Sequence, residues 1–420
     1  MKQTARKKLS RFFSILGPGI ITGAADDDPS GIATYSMAGA TLGTAMLWTA
    51  LITWPLMAAV QMMCARIGMV KGMGLMQSLR EKFPKPIIVI FSLTLFIANT
   101  INIGADLLGM ADAAQMLIGI NAGVAVALFG IVITVSSIKC NYQQIARIMK
   151  WLALALFAYV ITGFVIHPNW RAVLHDAVIP SLPHGHKALG MLTAIFGTTI
   201  SPYLFVWQAS QEVEEQKAHG LNRLSLRRGA TKEDLNCRGI DVGIGTFFSN
   251  LVMFFIILTT GLTLHQHGIT EISTTKEAAE ALRPLAGNFA ATLFTIGIIG
   301  VGILSIPTLA GSGAYAFAET FAWKQGLDAK PKTAWRFYTV FVLSMAAGMA
   351  MYFLKVNPVK ALYWTAIING ILAPFLLVGI FLVASDKRLM NKQPSSRMAL
   401  FCVMATALLM FAAAIGMFLF

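Results

Sequence analysis

Apolar runs of about twenty residues, separated by short polar and basic stretches, recur from one end of the chain to the other. A helix that crosses a bilayer needs about 20 mostly apolar residues. On that measure the sequence predicts eleven spans, near residues 15–38, 44–65, 86–109, 121–138, 151–166, 188–210, 241–263, 288–312, 336–354, 361–384 and 398–419. No soluble domain fits between them. The longest connections are 211–240, polar and basic, and 264–287, where Thr274 to Arg283 predicts a short surface helix. The expected fold class is therefore an all-α polytopic membrane protein with a single membrane domain. It holds a first half in residues 1–166, a second half in 188–384 and an extra span in 398–420.

Two spans break the pattern. Span 1 contains Gly17-Pro-Gly-Ile-Ile-Thr-Gly-Ala-Ala-Asp-Asp-Asp-Pro-Ser-Gly31, which puts three carboxylates and a helix-breaking Pro29-Ser30-Gly31 at mid-membrane. A charged side chain at that depth costs roughly 2.5–3.5 kcal/mol on insertion scales and faces a cavity or a partner rather than lipid. Proline removes a backbone donor, so amides and carbonyls near residues 28–31 are left free to bind something other than the helix. A loop at 26–28 ahead of a span starting at Ile32 is the alternative, but it leaves the apolar Phe12–Ala25 with no place to go. Span 6 repeats the device with Thr198, Thr199 and Ser201 just before Pro202. Five spans apart means opposite orientation, and two interrupted helices at corresponding places are the sign of an inverted repeat with its site where the breaks meet.

Composition narrows the class further. With 56% hydrophobic and 12% charged residues and a mean hydropathy of +0.68, the chain differs from soluble domains, in which about 25% of residues are charged. The formal charge of +14 reports orientation rather than nucleic-acid binding, because the basic residues sit in short loops. With the N-terminus cytoplasmic, only Arg171, Lys187, Lys276, Arg283, Lys355 and Lys360 fall outside. The C-terminus is then outside, and the basic Met1–Arg11 reads as an uncleaved cytoplasmic end. Histidines partition the other way, with only His219 inside and none in a span, so a histidine proton relay is not expected. Cys64, Cys140, Cys237 and Cys402 show neither a disulfide nor a zinc spacing. The 22 methionines are dispersed gap-fillers, and the Gly297–Gly302 run with Gly311 and Gly313 permits close helix approach. No P-loop, nucleophile elbow or metalloprotease helix is present, so no enzyme is expected.

The donors at the two breaks are Asp28, Thr198, Thr199, Ser201 and freed carbonyls. This all-oxygen set suits Mg²⁺, Ca²⁺ or Mn²⁺ better than softer late transition metals, and Mg²⁺ is usually held through one or two carboxylates with its waters. A monovalent cation or a Na⁺-coupled organic substrate also fits this chemistry. Several residues keep two readings. Asp26 and Asp27 serve as helix-end charges facing an aqueous vestibule or as ligands. Asp106 is a structural acid or takes part in ion passage, and Ser201 bonds the backbone beside Pro202 or ligates. Asn369 borders the site or packs, packing being preferred, while Glu212, Glu214 and Glu215 read as a solvated face rather than an acidic exit.

These motifs carry a family resemblance. Gly17-Pro-Gly with Asp28-Pro-Ser-Gly31 resembles the first-span motif of the NRAMP divalent-metal transporters, Thr198-Thr-Ile-Ser-Pro-Tyr with Gln208 falls where their sixth-span motif lies, and Gly104-Ala-Asp106 is similar to their third-span acidic motif. The resemblance implies eleven helices in an inverted five-plus-five repeat of the leucine-transporter type, with helices 1 and 6 broken at mid-membrane. It implies metal ligation at Asp28, Gly31, Thr198 and Ser201, with Asp26, Asp27, Thr199, Tyr203, Gln208, Asp106 and Asn369 along the ion pathway. The departures matter. Gly31 stands where the family has Asn, Thr198 where it has Ala, Ser201 where it has Met, and Tyr203 and Gln208 where it has His; Gly109 replaces an acid. That pattern resembles the NRAMP-related magnesium transporters and implies inward Mg²⁺ transport, Mn²⁺ also, by alternating access without obligatory proton coupling. The substrate is a divalent ion, the setting a bacterial-type inner membrane, and no cofactor, nucleic acid or obligate protein partner is expected. A proton-coupled Mn²⁺/Fe²⁺ importer is the nearest alternative. A cation-coupled amino-acid or amine carrier, kept open by Tyr203 and Trp207, and a membrane sensor are the others.

Overall fold

In the computed structural model, residues 18–139, 156–183 and 186–419 are described. The basic end, the start of span 5, Cys140 and His184 lie outside them. The described residues are helices and connections without strands. Among the described residues nine helices are long and apolar enough to cross a membrane. Taken with span 1 and the described part of span 5, Phe157–Val165, their order follows the eleven predicted segments.

Span 1 is two helices, 1a (Pro18–Asp26) and 1b (Pro29–Leu42). Span 6 is likewise 6a (His186–Thr199) and 6b (Pro202–Ala218). Pro55, Pro307 and Pro374, by contrast, lie inside uninterrupted helices. The difference is the residue ahead of the ring. Asp28 (φ −69°, ψ 169°) and Ser201 (φ −78°, ψ 133°) are extended and cap a new helix that starts at proline, the one helical position where the missing N–H costs nothing.

Several helices outrun their apolar segments. Span 3 covers Lys85–Ile118, span 7 Lys232–Thr263 and span 8 Ala290–Phe321. Hydropathy marks the hydrocarbon thickness, whereas local capping and packing decide where the helix ends. Span 7 starts early because the Thr231 hydroxyl accepts from the Asp234 amide (3.1 Å) while the Thr231 amide donates back to Asp234 (3.2 Å). The helix expected within Thr274–Arg283 forms over Thr275–Glu280 with the same kind of box. Two further short helices, Leu75–Leu79 and Trp170–Val178, carry too few apolar residues to register in a span-length window.

Missing side chains bring the broken helices against their neighbours. A Cβ at Gly23 of 1a would sit 2.4 Å from the Gly245 carbonyl of span 7, and one at Gly197 of 6a would sit 2.0 Å from the Ala366 carbonyl of span 10. Backbones in lipid approach this closely only through small residues. In span 8, Gly302 makes room for Met110 of span 3, whose sulfur would be 2.3 Å from a Cβ there. Gly197→Val should therefore push 6a off span 10 and lower the thermal midpoint of the purified protein, at a cost of about 1–3 kcal/mol or more. An unchanged melting curve would contradict the backbone contact.

Candidate metal-ion site

The break in span 1 is organised by Asp28. Its Oδ1 accepts from the Gly31 amide (2.7 Å) and the Ser30 hydroxyl (2.7 Å), and its Oδ2 accepts from Asn102 Nδ2 of span 3 (3.1 Å). Asn102 also donates to Asp106, one turn along span 3 (3.3 Å). Asp28, Asn102 and Asp106 are all buried, so one amide holds two carboxylates side by side. A carboxylate oxygen has lone pairs beyond those two or three bonds, and these remain for an ion.

Span 6 comes up to the same point. A Cβ on Gly31 would lie 3.2 Å from Thr198 Oγ1 and 3.4 Å from the Asp26 carbonyl. The Thr198 hydroxyl is buried and has no hydrogen-bond partner. Ser201 donates to the carbonyls of Gly197 (2.8 Å) and Thr198 (2.7 Å), which spends its hydrogen on the backbone and leaves its lone pairs. The two breaks therefore meet across Gly31, with Asp28 on one side and Thr198 on the other. Among the described residues no three His, Cys, Asp or Glu converge as a metal cluster. The donor set at the breaks is a carboxylate with neutral oxygens.

The remaining predicted residues surround this point. Asp26 Oδ2 and Asp27 Oδ1 accept from Ser249 of span 7 (2.7 and 3.1 Å). The Tyr203 hydroxyl donates to the Ala25 carbonyl (3.0 Å), a group released by the end of 1a, and Thr199 pairs with Tyr35 (2.9 Å). Asn369 is buried in span 10 with its Oδ1 unpartnered. Gln208 lies farther along 6b, accepting from Thr22 of 1a (2.7 Å) and donating to Glu212 (2.7 Å).

Glu212 corrects an expectation. It is buried, not solvated, and pairs with Arg238 (2.8 Å), which also binds Asp241 (2.7 Å) and Glu215. Asp241 in turn accepts from the Gly19 amide of 1a (2.8 Å). Arg238, assigned to a loop by hydropathy, belongs to span 7 because three carboxylates compensate its burial. Glu214 faces Lys217 (2.8 Å) and is part-buried.

Residues 19–420 match the family described as Natural resistance-associated macrophage protein-like, Nramp. The chain belongs to the Nramp family. Among similar proteins is the divalent metal cation transporter MntH of Yersinia pestis (strain Pestoides F), 28% identical over 314 residues, 73% of this chain and 74% of that protein. The MntH of Klebsiella pneumoniae (strain 342) is 25% identical over 305 residues, 71% of this chain and 70% of that one. The fold resembles the Eremococcus coleocola manganese transporter, crystallised with an aromatic bis-isothiourea compound, at 17% identity and a TM-score of 0.73, covering 97% of this chain and 87% of that one. It also resembles Mhp1, a nucleobase-cation-symport-1 family transporter, at 13% identity and a TM-score of 0.56, covering 96% and 91%.

Within this Nramp chain, three residues that touch the candidate site carry no signal read from the sequence: Asn102, Ser249 and Met253. Asn102 sits four residues before Asp106, and that spacing on one helix face is the one signal that could have found it. Met253 places a thioether 3.7 Å from Thr199 Oγ1 and 3.9 Å from Thr53 Oγ1, accepting from both, so the surroundings are not purely oxygen. As the donor that orients both carboxylates, Asn102 should matter beyond its size. Asn102→Leu is expected to weaken Mg²⁺ or Mn²⁺ binding by about 10–100-fold, read by calorimetry on the purified protein. Binding at wild-type affinity would show that Asp28 needs no such orienter.

Proposed function

We propose that this chain is an integral-membrane transporter for hard divalent cations, Mg²⁺ first and Mn²⁺ also. It carries them inward by alternating access, without obligatory proton coupling, with its N-terminus cytoplasmic and its C-terminus outside. The observation that supports this most is the meeting of the two breaks, with the Asp28 carboxylate and the unpartnered Thr198 hydroxyl on either side of Gly31. One carboxylate with neutral oxygens is the kind of set that Mg²⁺ accepts while keeping several waters. Ser201 and Gly31 add neither a thioether nor a bulky amide. The MntH relatives and the E. coleocola protein are named for divalent-metal and manganese transport, which supports the substrate class and speaks against an amino-acid carrier or a sensor.

Occlusion supports the alternating-access reading. Asp26, Asp27, Asp28 and Asp106 are all buried. On one side 1a is tied to 6b and span 7, and on the other 1b is tied to the later loops through Thr41 with the Thr270 carbonyl (3.1 Å) and His265 with the Ala40 carbonyl (2.8 Å). An ion at the breaks would need one set of ties to open at a time.

A proton-coupled Mn²⁺ importer is the second reading, favoured by Met253, whose sulfur lies close enough to Thr199 to soften the site. Site variants separate the two. Asp28→Ala is expected to abolish Mg²⁺ uptake in proteoliposomes while the protein remains monodisperse; uptake at wild-type rates would remove Asp28 from the site. Ser201→Met should introduce Cd²⁺ binding that the native chain lacks. Tight Cd²⁺ binding by the native chain would favour the second reading.

A further inference from the structure

We propose that Asp26, Asp27 and Ser249 form a second cation site, separate from the one at Asp28, that takes a hard divalent ion. The three consecutive aspartates do not point together. Asp28 turns to the Gly31 amide and to Asn102 of span 3, whereas Asp26 and Asp27 both turn to Ser249 of span 7. The oxygens Asp26 Oδ2 and Asp27 Oδ1 thus converge on one hydroxyl, at 2.7 and 3.1 Å. Serine has a single hydrogen to give, so the two carboxylate oxygens share it and neither is fully satisfied by Ser249.

A separate observation points to a ligand. Asp26 is wholly buried and its Oδ1 has no hydrogen-bond partner. Among the described residues no Lys, Arg or His lies within ion-pair distance of Asp26 or Asp27; Arg238, on the same span as Ser249, is taken by Glu212, Glu215 and Asp241. Two buried carboxylates without a protein counter-charge are neutralised by their own protons or by a bound cation, and a divalent ion is the partner that would also use the unpartnered Asp26 Oδ1. Their place adds to this, because Asp26 closes helix 1a, and the C-terminal end of a helix carries partial negative charge that favours a cation. Two carboxylates balance one divalent ion, and carboxylate with hydroxyl is hard-oxygen chemistry.

The inference uses the Asp28 reading only to count ions, and the test keeps the two apart. The full chain in nanodiscs is dialysed against Mn²⁺, the probe, and bound ions are counted by electron paramagnetic resonance. The expected result is two ions for the wild type, one for the Asp26→Asn/Asp27→Asn double variant and one for Asp28→Ala. Ser249→Ala, a small neutral change that guards against misfolding in the double variant, should keep two ions with one bound about tenfold or more weakly. A wild type that binds one ion, retained in the double variant, overturns the second site and leaves Asp28 in place. One ion that survives Asp28→Ala but not the double variant overturns the Asp28 reading and keeps the site at Asp26 and Asp27. Displacement of the second Mn²⁺ by excess Na⁺ overturns the divalent assignment.

Discussion

The proposed ion site at the two breaks depends on a carboxylate that starts a helix in the middle of a membrane span. Asp28 caps span 1b by accepting from the Gly31 amide, and it can do so because Pro29 supplies no amide that needs satisfying. In hydrocarbon an uncapped helix end is prohibitive, since no water replaces the missing bonds. The cap and the proposed ligand are therefore the same group. Removing Asp28 would take away both that candidate ligand and the reason that 1b begins where it does.

Span 6 meets the same constraint by a different route. Ser201 bonds back to carbonyls of 6a, Tyr203 takes up the Ala25 carbonyl left by 1a, and Thr198 is left unpartnered beside Gly31. Span 6 thus satisfies its own break from within and, through Tyr203, a carbonyl that span 1 leaves free. Helix 1a is also held from below its break through Thr22, Gln208, Glu212, Arg238 and Asp241 back to Gly19. Removing one member of such a buried charged chain leaves its partners unpaired and is costly.

What was legible in the sequence was local. Proline beside aspartate announces a break, and the distance between Pro29 and Pro202 announces a partner, so the meeting of Asp28 with Thr198 and Ser201 as candidate donors was legible. What was not legible depends on which faces turn together. Ser249 reaches Asp26 across 223 positions, and nothing near Ser249 in the chain marks it. Arg238 and Glu212 looked like loop charge and solvated face because hydropathy treats each charge as alone, whereas in the fold they compensate one another. Met253 was one of many dispersed methionines, and only its contact with Thr199 singles it out.

The kind of ion, and whether protons move with it, distinguishes a hard-cation transporter from a proton-coupled one. The direct measurement is metal-stimulated uptake into proteoliposomes, comparing Mg²⁺ with Mn²⁺ and Cd²⁺ while an internal dye reports pH. Mg²⁺ flux with a silent dye is what the account predicts. Mn²⁺ or Cd²⁺ flux accompanied by acidification, with no Mg²⁺ flux, would contradict it.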